Sequence, residues 1–285
     1  FDPALGETDL KNWSRARLYS PLLWNFVHWL LSRIHFPESG YGSWKVPLIS
    51  ATEAIHKDSA VDLVVGSANP NVDFAPGAHL HRLHGVPYVM DHRDSWHLDV
   101  YTGKRIGSRL SRSNRLERRL LDQAEEAWFV NGPIRDWHAA EYPRNADRFH
   151  VVSNGFDPIF LNSAPPRVGG ANRSLTFGFL GTIYGPMPLR ESLEGWRIAR
   201  SESATIAKSR LVFRGRLGHF AEPDAATASL LNEYREDGVI HLGPVSKTQV
   251  SEVYKDFDAL LLILGRSKYV TSGKVFEYAA TGLPI

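Results

Sequence analysis

Hydrophobic and polar positions along the chain follow two alternating periods. Short apolar runs, among them Val61–Val65, Pro87–Met90 and Leu175–Leu180, predict buried strands. Between such runs, stretches such as Arg109–Gln123 and Leu189–Ala199 repeat apolar residues every three or four positions, which predicts helices with one buried face. Because strands and helices alternate throughout, the pattern predicts an α/β fold built on parallel sheets with helices on both faces.

A segment rich in proline and glycine, Pro158–Ala171, interrupts this alternation. A chain of 285 residues, 43% of them hydrophobic, is long enough for two domains. We therefore predict a first domain over 1–157, a hinge over 158–171 and a second domain over 172–285, each a doubly wound, Rossmann-like sheet. The chain starts without Met and ends where a further strand is expected, so both domains are expected to be incomplete.

The first predicted helix, Asp9–Phe36, carries an apolar, Trp-rich face flanked by arginines. A basic amphipathic helix of this kind can lie on a membrane surface, here through 13–36. The more common role of such a face is burial in a protein core. The pattern leaves both interpretations open.

Composition narrows the class of protein. A net charge of +2 argues against a nucleic-acid partner, and the absence of cysteine excludes disulfides and thiolate metal sites. No signal peptide and no run of about 18 apolar residues is present, which favours a cytoplasmic protein, free or peripheral at the inner face of the membrane. His79, His81 and His84 have no regular ligand spacing, so we predict that they are surface or groove histidines and that the chain has no metal site.

The strongest candidate for chemistry is the segment Thr271–Ile285. It follows the apolar run Asp258–Leu264, opens with a Ser-Gly-Lys turn and then becomes helical. Free amides at such a turn, here those of Ser272 and Gly273, favour an anion, and Lys274 adds a cation at the same end. Glu277, one turn later, could accept hydrogen bonds from sugar hydroxyls. The alternative is an ordinary strand–turn–helix unit with a solvated lysine and glutamate.

The stretch Glu277–Pro284 resembles the Glu-x-x-Ala-x-Gly-x-Pro segment of GT-B glycosyltransferases, especially the family 4 group. The resemblance implies two Rossmann-like domains facing across a cleft, with the nucleotide-sugar in the second. It further implies that Glu277 binds the ribose and that the turn Ser272–Val275 holds the diphosphate. Many members have a second glutamate where this chain has Tyr269, so that role stays unassigned.

Two further strand ends of the second domain contribute to the same resemblance. After Gly181, many relatives carry a phosphate-binding arginine where this chain has Thr182. Arg214 and Arg216, on either side of a glycine after another predicted strand, are our candidates for the missing cations, because a guanidinium can hold phosphate with two hydrogen bonds. In the family the backbone after the Gly-Pro turn meets the base, which makes Val245 the candidate here.

In the first domain, the polar run Asp91–Trp96 follows a predicted buried strand. Ionisable groups are costly in a core, so we expect them to line a crevice, with structural ion pairing as the alternative. The segment Gly85–Trp96 resembles the Asp-x-Arg-Asp-x-Trp loop of the family's acceptor-side domain. Relatives have His-Asp where this chain has Arg93-Asp94, so His92 is only adjacent to the expected histidine. The candidate catalytic residues are Asp94, His92 and Glu277.

The predicted reaction is transfer of a sugar from a nucleoside-diphosphate sugar to an acceptor hydroxyl, with retention and without metal or other cofactor. The base, UDP or GDP type, is unresolved, and the acceptor is a glycan, a lipid-linked molecule or a small molecule, as in polysaccharide or glycoconjugate biosynthesis. Two alternatives remain. Sugar-nucleotide 2-epimerases share this fold, and a non-catalytic nucleotide-binding scaffold would bind the ligand without turnover. The sequence does not predict an oligomeric state.

Overall fold

The computed structural model divides by its internal contacts into two units, Phe1–Ser153 and Asn154–Ile285. The residues that it describes are 20, 22–23, 26–27, 30, 34–38, 41–158, 173–183, 187–218 and 224–285. Nearly all of the predicted hinge 158–171 lies outside these residues, so the predicted domain limits stay a prediction. Each unit is described by itself below.

The first unit contains a four-stranded parallel sheet in the order β1-β2-β3-β4. Its strands are β1 (Val64–Ala68), β2 (Tyr88–His92), β3 (Glu126–Phe129) and β4 (Phe149–Val151). From residue 41 onwards, its α-helices are α1 (Lys45–Asp58), α2 (Ala75–His84), α3 (Arg112–Gln123) and α4 (Gly132–Glu141). Short 3-10 turns cover Gly42–Trp44, Asn71–Phe74 and Pro143–Arg148.

Side-chain caps start two of these helices. The Ser111 hydroxyl accepts from the Asn114 amide at the start of α3, and the Asn131 side chain accepts from the Ile134 amide at the start of α4. α2 ends at Gly85, whose φ of 72° lies in the left-handed region that glycine adopts without strain. Local sequence therefore sets where these helices begin and end.

The second unit contains another four-stranded parallel sheet, in the order β7-β6-β5-β8. Its strands are β5 (Thr176–Leu180), β6 (Arg210–Arg214), β7 (Val239–His241) and β8 (Ala259–Leu260). Its α-helices are α5 (Leu189–Glu202), α6 (Ala204–Ala207), α7 (Ala225–Glu233), α8 (Val250–Tyr254) and α9 (Lys274–Thr281). Short 3-10 turns cover Arg235–Asp237 and Lys247–Gln249.

Both faces of the second sheet are buried. Along β5, Phe179 belongs to one apolar cluster and its neighbour Leu180 to another, and along β6 the same alternation separates Phe213 from Val212. Successive residues of a strand point to opposite faces, so the two clusters lie on the two sides of the sheet. This arrangement confirms the predicted α/β fold with two parallel sheets.

The strand order of the second sheet reverses at β5. From β5 the chain moves outward through β6 to β7, and then returns to place β8 on the other side of β5. In open parallel sheets, ligands bind outside the carboxyl ends of the strands at such a reversal. The predicted run Asp258–Leu264 supplies only the two-residue strand β8, and the chain beyond it leads to α9.

Of the described apolar residues in the predicted helix 13–36, Phe36 is buried, with 2% exposure, and stacks on Trp96, whereas the others are exposed. These are Leu22, Leu23, Phe26, Val27, Leu30 and Ile34, with Leu22 the most exposed at 85%. The side chains at these six positions are therefore not buried in a core. Contact with a membrane surface stays a prediction. Within the described part of the chain, no helix is long and apolar enough to cross a membrane.

Candidate functional site

The carboxyl ends of β5, β6 and β7 are joined through glycine backbone. The Gly181 amide donates to the Arg214 carbonyl at 2.9 Å, and the Gly215 amide donates to the Gly243 carbonyl at the same distance. A Cβ atom at Gly215 would lie 1.7 Å from the Gly181 carbonyl oxygen. Gly215 also has a φ of 146°, a conformation that other residues rarely adopt. Only glycine therefore allows these two loops to approach so closely.

Helix α9 is attached to the end of β5 by a buried tyrosine. The Tyr278 hydroxyl accepts from the Leu180 amide at 2.8 Å and lies 3.2 Å from the Leu180 carbonyl, to which it donates. After the helix, the Leu260 amide of β8 donates to the Pro284 carbonyl at 2.8 Å. These contacts hold the first turn of α9 beside the glycine loops. A Cβ atom at Gly181 would lie 3.8 Å from Cε of Lys274.

We expect Tyr278→Phe to lower the free energy of unfolding by about 1–3 kcal/mol, because it removes the hydroxyl that satisfies a buried amide and a buried carbonyl. Urea denaturation of the variant and the wild type measures the difference. Tyr41→Phe, which alters an exposed tyrosine, serves as the control. Equal stability of Tyr278→Phe and wild type would show that the hydroxyl does not hold α9.

Lys274 and Glu277 form a partly buried ion pair at the start of α9. Nζ of Lys274 lies 2.8 Å from Oε1 and 2.9 Å from Oε2 of Glu277, whose side chain is 16% exposed. The Tyr254 hydroxyl at the end of α8 donates to Oε1 of the same carboxylate. Burial, with the hydrogen bond to Glu277 as a further cause, raises the pKa of Tyr254. The solvated lysine and glutamate that the sequence left as an alternative are not observed.

The amides of the first turn of α9 are partly occupied. The Lys274 amide donates to the Ser272 hydroxyl and the Val275 amide to the Ser272 carbonyl, each at 3.2 Å. The amides of Lys274 and Val275 are therefore not free to bind an anion. For Ser272 and Gly273, no amide hydrogen bond to another described residue is present. These two amides remain the donors that the turn can offer to an anion.

Arg214, the last residue of β6, and Arg216, two residues later, lie at the same edge of the sheet. Arg214 is half-buried and donates to the Leu242 carbonyl at 3.3 Å, whereas Arg216 is exposed. Neither forms an ion pair with a described residue. Thr182, directly after Gly181, is half-buried, and Val245 packs on the apolar cluster that includes Tyr254 and Tyr278. Contact of these residues with a ligand stays a prediction.

In the first unit, the polar run after β2 divides into buried and exposed residues. β2 extends to His92, two residues beyond the predicted end, and is buried at each position. Asp91 accepts from the Ser67 hydroxyl at 3.0 Å and from Nε of Arg93 at 2.8 Å. The prediction that Asp91 and His92 line a crevice is therefore wrong. Asp94 is exposed, and its place at a crevice stays a prediction.

His92 is fully buried between two aromatic rings. Its ring lies 4.9 Å from that of Phe74 and stacks on Phe129 at 5.1 Å, and its exposure is 0%. Burial, with His138 nearby as a further cause, lowers the pKa of His92 to about 3, so the ring is neutral at physiological pH. A neutral, enclosed imidazole does not reach an acceptor, and we do not retain His92 as a catalytic candidate.

No family model and no curated protein matches the chain. Several solved structures match it. A UDP-forming α,α-trehalose-phosphate synthase from Burkholderia xenovorans has a TM-score of 0.57 at 9% identity over 85% of the chain. Sucrose-phosphate synthase from Thermosynechococcus elongatus has a TM-score of 0.56 at 15% identity over 87%. The lipopolysaccharide outer core galactosyltransferase WaaB in its apo form has a TM-score of 0.51 at 15% identity over 84%.

The chain has a GT-B fold. It spans 60% of the length of WaaB and 61% of each of the two synthases. At these identities the likeness shows the fold alone. Substrate and reaction have to be argued from the residues described above.

Proposed function

We propose that the protein transfers a sugar from a nucleoside-diphosphate sugar to an acceptor hydroxyl. The observation that carries this proposal is the arrangement at the reversal point of the second sheet, where Gly181, in close contact with Gly215, lies beside Lys274 of the Lys274–Glu277 ion pair. The glycines let a diphosphate approach the backbone closely, and the Lys274 ammonium group lies beside that backbone. A partly buried carboxylate one helical turn away suits the hydroxyls of a ribose.

The second unit would stabilise the leaving nucleotide. In the reaction the bond between the anomeric carbon and the phosphate oxygen breaks, and the acceptor oxygen bonds to that carbon while it loses its proton. Negative charge then grows on the diphosphate, and donors placed beforehand stabilise it most effectively. The available donors are the side chains of Lys274, Arg214 and Arg216 and the amides of Ser272 and Gly273. This set acts without a metal ion.

The remaining contacts follow the family resemblance. Glu277 accepts from the ribose hydroxyls, the backbone at Val245 meets the base, and Gly181 and Thr182 face the diphosphate. Asp94, exposed after β2, acts on the acceptor hydroxyl or on the transferred sugar. Retention of the anomeric configuration rests on the resemblance alone. The galactosyltransferase WaaB, which shares the fold, supports the class of reaction by analogy.

A panel of nucleoside diphosphates, UDP and GDP among them, tests the proposal. The tight binder should raise the melting temperature, since a ligand at 100 times its Kd stabilises a protein by about 2.7 kcal/mol. The nucleotide-sugars of the base so identified are then incubated with and without candidate acceptors. Transfer requires the acceptor, whereas interconversion of the donor alone would favour an epimerase. If no nucleotide in the panel raises the melting temperature, the proposal fails.

A further inference from the structure

A cluster of buried polar side chains in the first unit is not used by the proposed reaction. His92 at the end of β2, Glu117 on α3 and His138 on α4 are all 0% exposed. One nitrogen or oxygen atom from each lies within 4.8 Å of the other two. Both ring nitrogens of His92 and Oε1 of Glu117 have no hydrogen-bond partner. Buried polar atoms rarely remain unsatisfied, so these three atoms need an explanation.

Neighbouring groups hold the side chains of this cluster in place through hydrogen bonds. The residues around the ligands of a metal site do the same. Nδ1 of His138 donates to the Ile134 carbonyl at 2.9 Å, which leaves the lone pair on Nε2. Oε2 of Glu117 accepts from Nδ1 of His97 at 2.6 Å and from the Tyr142 hydroxyl. The second carboxylate oxygen, Oε1, is thereby left to face Nε2 of His138 at 3.8 Å.

We propose that His92, Glu117 and His138 bind a divalent transition-metal ion, with Zn²⁺ the best match. Two imidazoles and one carboxylate form a common ligand set for Zn²⁺, at bond lengths of about 2.0–2.2 Å. Two such bonds at a tetrahedral angle place their ligand atoms roughly 3.4 Å apart. Oε1 of Glu117 and Nε2 of His138 lie 3.8 Å apart, and all three ligand atoms lie within 4.8 Å of one another, so binding an ion would draw the side chains together by up to about 1.4 Å. The ion would also balance the buried carboxylate charge and give His92 a partner.

The bound ion would stabilise the fold and would take no part in the sugar transfer. It would join the end of β2 to α3 and α4, and Asp94 follows only two residues after His92. The Ser95 hydroxyl lies 3.4 Å from Nε2 of His138 and offers the ion a further ligand. Because the three ligands are fully enclosed, the ion would be taken up during folding. This inference does not depend on nucleotide-sugar binding.

A second group of imidazoles is a competing place for metal and supplies the control. Oε1 of Glu53 lies 2.7 Å from Nε2 of His79 and 3.3 Å from Nε2 of His84. This group is partly exposed, and its ring nitrogens already have a carboxylate partner. The double variant His79→Gln/His84→Gln removes it and leaves the buried cluster intact.

The test is the metal content of the untagged protein, measured by mass spectrometry after purification without added metal or chelator. We expect roughly one equivalent of Zn²⁺, or of another divalent transition metal, per chain. The surface double variant should retain it. His92→Phe should lose it, because the phenyl ring fits the space between Phe74 and Phe129 but provides no ligand.

Thermal denaturation gives a second readout. A chelator present during refolding should lower the melting temperature of the wild type and of the surface double variant, and added Zn²⁺ should restore it. His92→Phe should respond to neither. If His92→Phe does not fold, Glu117→Gln replaces it, and the wild type and surface variant still report metal content. Metal-free wild type with no response to chelator, or metal lost only from the surface variant, would overturn the proposal.

Discussion

Replacement of Glu277 by glutamine is expected to weaken donor binding about 10- to 100-fold and to lower turnover with it. Hydrogen bonds to a charged group contribute about 1.5–3 kcal/mol, and each 1.4 kcal/mol is about tenfold in affinity. The change is nearly isosteric and lies one turn into α9, where Glu277 is only partly buried. The loss should therefore appear in ligand binding and not in the fold.

The hydrogen bonds that the Glu277 carboxylate already accepts explain why the glutamine variant should bind the donor more weakly. An ionised carboxylate has about four acceptor positions. Lys274 uses one on each oxygen, and Tyr254 uses another on Oε1. Two ribose hydroxyls can bind only if Lys274 gives up at least one of its hydrogen bonds. That release would free the ammonium group to turn towards the diphosphate, so binding of ribose and of phosphate are expected to be coupled. Glutamine has one acceptor oxygen and would disrupt both.

Calorimetric titration with the nucleotide-sugar, together with steady-state kinetics, measures the effect. Glu252→Gln is the matched control, because Glu252 is an exposed carboxylate on α8 that also pairs with a lysine, Lys255, at 2.6 Å. It should leave affinity and rate unchanged. Wild-type affinity and rate in Glu277→Gln would remove Glu277 from the site. A large fall in melting temperature would instead assign the carboxylate to holding α8 and α9 together.

The sequence predicted the type of most elements because their periods are clear, but it placed the end of β2 two residues early. The apolar run stops at Met90, and ionisable residues are expected to avoid a buried strand. In the fold, Ser67 on β1 and Arg93 both donate to Oδ2 of Asp91. These partners come from another strand and from the following loop. Periodicity along one segment contains no information about them.

In the candidate site, too, local patterns did not predict contacts between residues that are distant in the sequence. Ser272, Lys274 and Glu277 were recognisable because they lie within one short motif. Tyr254 was missed, because its contact with Glu277 joins two helices 23 positions apart. Glu117 was overlooked in an arginine-rich helix, although a signal for its burial existed. It shares a helical face with Asn114 and Leu121, at spacings of three and four, and that face is buried.

Asp94→Asn is expected to lower turnover at least 100-fold and to leave the affinity for free nucleoside diphosphate unchanged. A carboxylate that assists proton transfer or stabilises charge at the reacting bond contributes about 10²–10⁴ in rate. Asp94 is exposed in the loop after β2 and forms no hydrogen bond or ion pair with another described residue. Its loss should therefore change stability by no more than about 0.5 kcal/mol, as for other surface positions.

Asp91→Asn separates a catalytic role of this loop from a structural one. Asp91 is buried and its carboxylate accepts hydrogen bonds from Arg93 and Ser67, so its replacement should lower the free energy of unfolding by about 1.5–3 kcal/mol. Asp136→Asn, at an exposed carboxylate on α4, should change neither rate nor stability. Nucleotide release from the donor sugar and calorimetry on the three variants distinguish the roles. If Asp94→Asn lowers melting temperature and activity together, Asp94 braces the loop. If it keeps full turnover, the group that acts on the acceptor lies elsewhere.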